Sequence, residues 1–427
     1  MINALDSLEK PAENEYLNCI RCGLCMAVCP TYREYLKEPA GPRGRVALAR
    51  KNLEGQLELS ANLIEQMYAC FACMACNEIC PVGIRPADLA LSMRHIEEQS
   101  RHAGWKQMLF GGLLPHPDRM ETTTLPLRLY ERSGLRRLVY RLSLTRLLPR
   151  QIRDLEAMLP HLPQRPLRQA LPDRTEPRGL SRYQVGFFLG CAQNLLFAEE
   201  SAATVRVLAR NGCTVITPRQ VECCGMPARG YGRLDLVRAQ AKHNIEVFEK
   251  TNVETIVTDC ATCGSTLKDY GALLQDEAEW SARAAAFSAR VRDVSEFLAE
   301  IPLEKPTGRV EARVTYHDPC HLRRGQNIWK QPRMLLSLID GLDFVELPEA
   351  DWCCGSAGSQ LITHYETSLK VMDRKLDNLA STEAHVIASG CPGCQMQLNT
   401  AIRRGGLAVR VVHPVTLLDE AYEAENG

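Results

Sequence analysis

The pattern of apolar residues changes at about residue 183. Beyond it, short apolar runs alternate with stretches of helical periodicity. The runs predict strands beginning at Val185 and Val314, and further strands at 215–218, 255–258, 344–347 and 385–389. The periodic stretches predict helices at 198–211, 234–250, 333–340 and 363–379. Strands that alternate with helices are typical of parallel sheets covered by helices.

This second part of the chain also repeats itself. Each copy contains a strand followed by a single cysteine, a Cys-Cys-Gly triplet after the next strand, and a Cys-x2-Cys pair after a third strand. The repeat predicts two similar α/β modules rather than one larger domain. Because the cysteines fall where strands end, we expect them at the carboxyl edge of each sheet, the usual position of a site in open α/β structures.

The chain has 19 cysteines, and eight of them form two identical runs before residue 100. Cys-x2-Cys-x2-Cys-x3-Cys-Pro is the bacterial ferredoxin pattern, in which the fourth cysteine of each run ligates the cluster of the other run. The pattern predicts two [4Fe-4S] clusters. The first ferredoxin set is Cys19, Cys22, Cys25 and Cys80, and the second ferredoxin set is Cys70, Cys73, Cys76 and Cys29. Structural zinc sites use widely separated pairs, so zinc is disfavoured.

Ten further cysteines form two matching groups, which leaves only Cys213 unassigned. The first five-cysteine set is Cys191, Cys223, Cys224, Cys260 and Cys263, and the second five-cysteine set is Cys320, Cys353, Cys354, Cys391 and Cys394. Five thiolates exceed the four that a zinc ion or a cubane requires, so a bridging or unusual cluster is indicated. We expect one or two further [4Fe-4S] clusters here, and we expect Cys213 to be an inert buried thiol.

These motifs resemble a known family. The paired Cys-Cys-Gly modules are similar to the cysteine-rich (CCG) domains of heterodisulfide reductase, which hold non-cubane [4Fe-4S] clusters. The full order of motifs more closely resembles the iron-sulfur subunit of bacterial glycolate oxidase, the FAD-linked 2-hydroxyacid or lactate dehydrogenase complex. The supporting motifs are Gly41-Pro42-Arg43-Gly44-Arg45, His317-Asp318-Pro319-Cys320-His321 and Cys353-Cys354-Gly355-Ser356-Ala357-Gly358.

Some neighbours of the cysteines are also candidates for the sites. His317 and His321 flank Cys320, and histidine beside a cluster more often donates a hydrogen bond to sulfur than ligates the metal. Arg43 and Arg45 lie between the two ferredoxin runs, where they could stabilise a reduced cluster or face solvent at a helix entry. We assign His317 and His321 to positions next to the ligands, and we expect no catalytic residue in this chain.

Residues 100–182 differ in charge from the rest of the chain. They carry 16 basic against 7 acidic side chains, a net charge of +9 in a chain whose total is +0, and they contain no cysteine. The segment is predicted to be a connector of short helices and Pro-broken loops. Arginines alternate with leucines over residues 128–153, which fits contact with an anionic membrane surface near quinone, or a bracing helix on the modules or a partner subunit. Nucleic acid is disfavoured because no aromatic-rich binding surface accompanies the arginines.

The remaining sequence narrows the functional class. No apolar run is long enough to span a membrane, and the amino terminus lacks a signal-peptide core, so we expect a cytoplasmic protein, with a peripheral position on the inner face of the membrane as the alternative. No Gly-x-Gly-x-x-Gly motif follows a strand, and no Walker loop is present, so flavin or nucleotide chemistry is expected on a partner chain.

Together these features predict four segments. They are an α+β ferredoxin-like, largely helical domain (1–99), the basic connector (100–182), and two α/β CCG modules with parallel sheets (183–303 and 304–427). The resemblance implies an oxidoreductase subunit that passes electrons from an FAD-binding dehydrogenase subunit, which oxidises glycolate or lactate, toward quinone or another acceptor. The alternative is a heterodisulfide-reductase-type subunit with thiol-disulfide catalysis at a CCG cluster.

Overall fold

The computed structural model describes residues 11–100, 103–142, 144–158, 160 and 162–426. The described part of the first segment contains short helices and no strand. The expected largely helical character is therefore present, whereas the α+β ferredoxin-like fold is not confirmed. The helices are Asn14–Leu17, Leu24–Ala27, Pro30–Tyr35, Pro42–Leu53, Ala61–Tyr68, Ala75–Glu78 and Pro86–Ser100, with a 3-10 turn at Glu38–Ala40.

Local sequence explains why these helices are short near the cysteines. The single-turn helices Leu24–Ala27 and Ala75–Glu78 begin directly after Gly23 and Met74, both in the left-handed backbone region. Such residues reverse the chain sharply, which suits a loop that wraps a cluster better than a paired strand. The longer helices pack around Val46, Ala49, Met67 and Met93, among other apolar side chains, in a small core of their own.

The connector consists of helical pieces separated by prolines and glycines. The pieces are Gly104–Lys106, the π-helical Gln107–Leu113, Pro117–Thr123, Leu125–Arg132, Leu135–Arg141, a 3-10 turn at Leu144–Leu147, Arg150–Met158 and Leu167–Ala170. Its beginning contacts the first module, because Gln240 donates to the carbonyl oxygen of Phe110 at 3.1 Å. Its end contacts the second module, because Gln151 donates to the carbonyl oxygen of Ile362 at 2.8 Å. The connector thus spans both modules.

The first module is built on a five-stranded sheet in the order β1-β3-β2-β4-β5. All neighbours are parallel except β1, which runs antiparallel to β3. The strands are β1 (Arg174–Thr175), β2 (Tyr183–Phe187), β3 (Cys213–Ile216), β4 (Thr255–Thr258) and β5 (Val291–Asp293). The helices are Cys191–Leu195, Ala198–Arg210, Met226–Gly230, Leu234–Glu249, Ala261–Lys268, Tyr270–Leu273, Ser281–Ala289 and Val294–Glu300.

The second module has a fully parallel sheet of four strands in the order β7-β6-β8-β9. The strands are β6 (Arg309–Tyr316), β7 (Asp340–Phe344), β8 (Val386–Ala388) and β9 (Arg410–Val412). The helices are Cys320–Gln326, Lys330–Ser337, Gln360–Thr363, Tyr365–Ser381, Pro392–Gly405 and Pro414–Glu423, with a 3-10 turn at Ala424–Asn426. The expectation of α/β modules with parallel sheets is confirmed for both, apart from the antiparallel strand β1.

The two sheets share one hydrophobic core. Phe187 and Val257 from the first sheet lie in the same buried cluster as Val314, Tyr316 and Ala388 from the second. The backbone nitrogen of Ala261 donates to the carbonyl oxygen of Gly390 at 2.9 Å, at the point where β4 and β8 have just ended. The carboxyl edges of the two sheets, and the cysteines that follow them, therefore face each other.

Among the described residues, no helix combines the length and the apolar character needed to cross a bilayer.

Candidate metal centres

The first ferredoxin set gathers near the protein surface. Burial raises the pKa of Cys25 to about 11, and the neighbouring Cys19, Cys22 and Cys80 thiols act in the same direction. Cys80 comes from the second run, so the fourth cysteine lies beside the triplet of the other run. Cys22 is exposed, and the other three are partly buried.

The second ferredoxin set is buried. Burial raises the pKa of Cys76, and Cys70, Cys73 and Cys29 contribute most among its charged neighbours. These four cysteines line a common cavity between the two runs. Here the fourth cysteine, Cys29, comes from the first run, so each triplet lies beside the last cysteine of the other run.

Two buried arginines accompany this second set. Arg45 donates to Thr31 Oγ1 at 3.1 Å, and Thr31 Oγ1 lies 3.2 Å from Cys29 Sγ. Arg94 donates to the carbonyl oxygen of Cys70 at 2.7 Å. Near the first set, by contrast, Arg43 is partly exposed and forms an ion pair with Glu38 at 2.6 Å. Of the two candidate arginines, Arg45 therefore lies against a cluster site and has no anionic partner in the part of the chain that the structure describes.

The first five-cysteine set forms a continuous series of thiol contacts. A hydrogen bond with Cys223 lowers the pKa of Cys191, and hydrogen bonds with Cys223 and Cys263 hold the pKa of Cys224 well below its usual range. Cys263 also contacts Cys260, whose Sγ accepts from the Cys263 backbone nitrogen at 3.4 Å. All five thiols thus lie at one edge of the sheet, as the positions after the strands predict.

The second five-cysteine set is similar but not identical. Cys354 Sγ lies 3.4 Å from Cys394 Sγ, and hydrogen bonds with Cys353 and Cys394 hold the pKa of Cys354 well below its usual range. Cys394 also contacts Cys391. Burial raises the pKa of Cys320, and Cys354 and Cys391 are among its charged neighbours.

The two candidate histidines lie at different places beside this set. A ring nitrogen of His317 lies within 4.8 Å of the sulfur atoms of Cys354 and Cys394, and neither ring nitrogen has a conventional hydrogen-bond partner among the described residues. His321 Nδ1 lies 3.3 Å from Cys320 Sγ. Burial lowers the pKa of both imidazoles, that of His321 to about 4, so both are neutral and can donate one hydrogen to sulfur.

Two cations that the sequence analysis did not single out lie beside the second five-cysteine set. The Lys375 side chain is completely buried, and its ammonium donates to the carbonyl oxygen of Glu349 at 2.5 Å. Burial lowers its pKa to about 8, and the Cys354 thiol is the first of the groups that oppose this shift. Arg324 has Cys73 and Cys320 among its charged neighbours. Lys375 comes from a helix that looks ordinary in sequence, and only the tertiary packing brings it to the thiols, whereas Arg324 lies one turn after Cys320 on the helix Cys320–Gln326.

The four sets adjoin one another. Cys25 of the first ferredoxin set is among the charged neighbours of Cys76 of the second, and Cys73 of that second set shares one buried cluster with Cys353 of the second five-cysteine set, where each shifts the pKa of the other. The Thr262 hydroxyl, next to the first five-cysteine set, lies 3.4 Å from Cys391 Sγ. Cys213, in contrast, lies in the shared sheet core, where burial raises its pKa to about 12.

The donor chemistry of these sites fits iron-sulfur clusters. Thiols in groups of four and five select soft metals and iron-sulfur clusters over oxygen-loving cations. The cavity among Cys29, Cys70, Cys73 and Cys76 and the unpartnered imidazole of His317 both leave groups that a bound cluster would satisfy. The fold and the sites define a multi-cluster iron-sulfur protein.

Comparison with known proteins agrees with this class. A 4Fe-4S dicluster domain matches residues 15–84, and a cysteine-rich domain matches residues 185–268 and 314–399. A model described as the linker region of the glycolate oxidase iron-sulfur subunit matches residues 102–159. The chain carries multiple [4Fe-4S] clusters, as the cysteine motifs predict.

Similar proteins extend the match to nearly the whole chain. It is 36% identical to the probable glycolate oxidase iron-sulfur subunit of Bacillus subtilis (strain 168), over 97% of this chain and 95% of that protein. It is 32% identical to the glycolate oxidase iron-sulfur subunit of Escherichia coli (strain K12), over 95% and 94%. It is also 32% identical to lactate utilization protein A of an Exiguobacterium species, over 56% of this chain and 98% of that protein. The chain belongs to the family of glycolate oxidase iron-sulfur subunits.

Proposed function

We propose that this chain is the electron-transfer subunit of a multi-subunit, FAD-linked dehydrogenase of 2-hydroxyacids such as glycolate or lactate. A flavin on a partner subunit takes two electrons and two protons from the hydroxyacid. Iron-sulfur clusters accept one electron at a time, so a chain of them links the two-electron flavin to an acceptor at the quinone level. The substrate is oxidised on the partner, and this chain conducts the electrons.

The observation that carries the proposal is the continuity of the four cysteine sets. The Cys73–Cys353 contact joins the ferredoxin part to the second module, and the Thr262–Cys391 contact joins the two modules. A protein that only stored clusters, or used one of them in catalysis, would not require all four sites to adjoin. Continuity across three segments of the chain is the arrangement expected of a conductor.

The ligand assignment is part of the proposal. We assign one cubane to each ferredoxin set, and one cluster to each five-cysteine set, with His317 and His321 as hydrogen-bond donors to sulfur. Cys80→Ser should then remove the EPR signal of the cluster at Cys19, Cys22 and Cys25, and Cys29→Ser should remove that of the cluster at Cys70, Cys73 and Cys76. Loss of the cluster of the same run in either variant would contradict the crossed ligation.

The connector supports a peripheral position on an anionic membrane, which would bring the chain close to quinone. Large apolar side chains are unusually exposed along it, including Leu129 at 55%, Leu138 at 49% and Leu147 at 82%. Exposed leucines beside arginines suit the headgroup region better than they suit water. We expect the chain to bind vesicles that contain anionic lipid but not vesicles of neutral lipid alone. Absence of binding to both kinds of vesicle would contradict this part of the proposal.

The whole proposal is tested with the purified chain and its flavoprotein. The chain alone should not oxidise glycolate or D-lactate with a dye acceptor, whereas the chain with the flavoprotein and the hydroxyacid should show reduced-cluster EPR signals. Substrate oxidation by the chain alone would show that catalysis lies here and that the proposal is wrong.

Thiol-disulfide catalysis at the second module is the second candidate. The imidazole of His317 beside Cys354 and Cys394 favours it, because cleavage of a disulfide there releases a thiolate to which the neutral ring can donate a hydrogen bond. Reduction of a disulfide substrate with a viologen donor would support this function. Absence of that activity, together with cluster reduction by the flavoprotein, would leave electron transfer.

A further inference from the structure

An apolar collar surrounds the first ferredoxin set. It consists of Leu17, Ile20, Leu24, Ile79 and Val82, which are exposed by 38%, 64%, 48%, 39% and 39%. Each of these residues lies within two positions of a cysteine in the set, and the helices Leu24–Ala27 and Ala75–Glu78 pack together. The residues from both runs therefore share one face of the molecule.

This face holds the outermost of the cluster sites. Of the cysteines in the four sets, all of which the structure describes, Cys22 alone is exposed. The second ferredoxin set is buried and already contacts the second module through Cys73 and Cys353. The inner side of the ferredoxin part is thus taken by the modules of this chain, and its outer side is free to meet another molecule.

The shape of the face fits a protein rather than a small molecule. Small ligands bind in concave pockets, whereas an exposed apolar patch around a reactive centre is typical of a protein interface. In the electron route proposed above, the flavoprotein is a protein and the acceptor is a small molecule. The collar therefore suits contact with the flavoprotein, which is the electron donor, better than contact with the acceptor.

The distribution of charge also favours the entry of electrons from the flavoprotein at this face. The second ferredoxin set has the buried Arg45 and Arg94 beside it, and neither guanidinium forms an ion pair among the described residues. Near the first set, Arg43 is neutralised by Glu38. Nearby positive charge stabilises the reduced, more negative cluster, so the potentials should rise from the surface inward. Electrons that arrive at the collar would be drawn toward the modules.

We infer that the collar of Leu17, Ile20, Leu24, Ile79 and Val82 is the docking surface of the flavin-bearing partner, and that electrons enter this chain at the first ferredoxin set. The inference rests on the proposed function. The flavin of the partner gives up electrons singly at this face, and they leave the chain at the modules for the quinone-class acceptor.

The test replaces one collar residue from each cysteine run. Leu24→Glu and Val82→Glu place a carboxylate at the centre of the contact, where binding would desolvate it. Leu180→Glu is the matched control, because Leu180 is 84% exposed in the loop before β2 and lies outside the collar. The measurements are binding of the flavoprotein, the rate of cluster reduction after mixing with flavoprotein and glycolate, and EPR after dithionite.

We expect both collar variants to bind the flavoprotein at least tenfold more weakly and to slow cluster reduction by glycolate, while dithionite still gives the EPR signals of all clusters. Leu180→Glu should match the unmodified chain. Unchanged binding in Val82→Glu would overturn the inference, as would normal reduction by the flavoprotein with slowed reoxidation by quinone, which would assign the collar to the acceptor. If the unmodified chain itself fails to be reduced by the flavoprotein, the proposed function fails and the inference with it.

Discussion

The two CCG modules have the same arrangement of cysteines but different surroundings. Three residues before its first cysteine, the first module has Phe188, which packs in one buried cluster with Cys223 and Cys260. At the equivalent position the second module has His317, which lies beside Cys354 and Cys394. The second module also has Lys375 buried near its thiols. The first five-cysteine set thus packs against the apolar side chain of Phe188, whereas the second has the imidazole of His317 and the ammonium of Lys375 beside it.

The modules also differ in the thiol that contacts the first cysteine of the Cys-Cys pair. In the first module, Cys223 contacts Cys191 of its own set. In the second, the equivalent Cys353 contacts Cys73 of the ferredoxin part. The comparison teaches that duplicated ligand sets can have divided roles: the cysteines of the second module lie against those of the second ferredoxin set, and their surroundings favour a reduced cluster there.

The largest effect expected from the comparison concerns metal content. Because both modules gather five thiols, we expect about 16 iron per chain after anaerobic purification, at four iron per cluster. Cys224→Ser and Cys354→Ser should each lower the value to about 12. If the unmodified chain contains about 12 iron and only one of the two variants contains less, only one module holds a cluster. If the unmodified chain contains about 8 iron, neither module holds one.

A smaller effect is expected when the buried cation of the second module is removed. Lys375→Met keeps the volume but loses a positive charge near Cys354, so the potential of the second-module cluster should fall by roughly 100 mV, the one-electron equivalent of ~2–3 kcal/mol. EPR-monitored redox titration measures this. The potential of the first-module cluster is the internal control, and equal shifts in both clusters would contradict a local effect.

The sequence was sufficient to predict the cysteine sets, the α/β modules and the position of most strands. β4 lies where the pattern predicts it, whereas β7 begins and ends earlier than predicted because its polar sequence, Asp340–Phe344, lacks an apolar run. β1, β5 and β9 were not predicted, since two or three residues are too few for a periodic signal, and β1 lies before residue 183, within the segment assigned to the connector. The Cys73–Cys353 contact and the burial of Lys375 depend on long-range packing, which leaves no local pattern.

Exchanging the two equivalent residues tests whether His317 accounts for part of the difference between the modules. His317→Phe removes a hydrogen-bond donor to sulfur, so the second-module potential should fall by about 60 mV, equivalent to ~1.4 kcal/mol for one electron. Phe188→His should raise the first-module potential by a similar amount. His317→Gln, which retains a donor, serves as the control, and if it shifts the potential as far as His317→Phe, then packing rather than hydrogen bonding is responsible.

The smallest expected shift in potential concerns the hydroxyl of Thr262, which belongs to the first module and lies beside a thiol of the second. Thr262 follows Cys260 in the first module, yet its Oγ1 lies 3.4 Å from Cys391 Sγ in the second. A metal-bound thiolate has no hydrogen to give, so the hydroxyl must be the donor. Thr262→Val keeps the shape and removes that donor, and the second-module potential should therefore fall by about 20–30 mV, equivalent to ~0.5–0.7 kcal/mol.

The matched variant is Thr266→Val, one helical turn further on, because Thr266 lies near Cys224 of the first module but its hydroxyl donates to the carbonyl oxygen of Thr262 at 2.9 Å. It should leave the second-module potential unchanged and shift the first-module potential less than Thr262→Val shifts the second, because the hydroxyl hydrogen is already taken. The Thr262 hydroxyl can act across the modules since the helix Ala261–Lys268 begins where the two sheet edges meet. If Thr262→Val shifted the first-module potential instead, Cys391 would not be a ligand of the second-module cluster. The assignment of cysteines to the two five-cysteine sets would then be wrong.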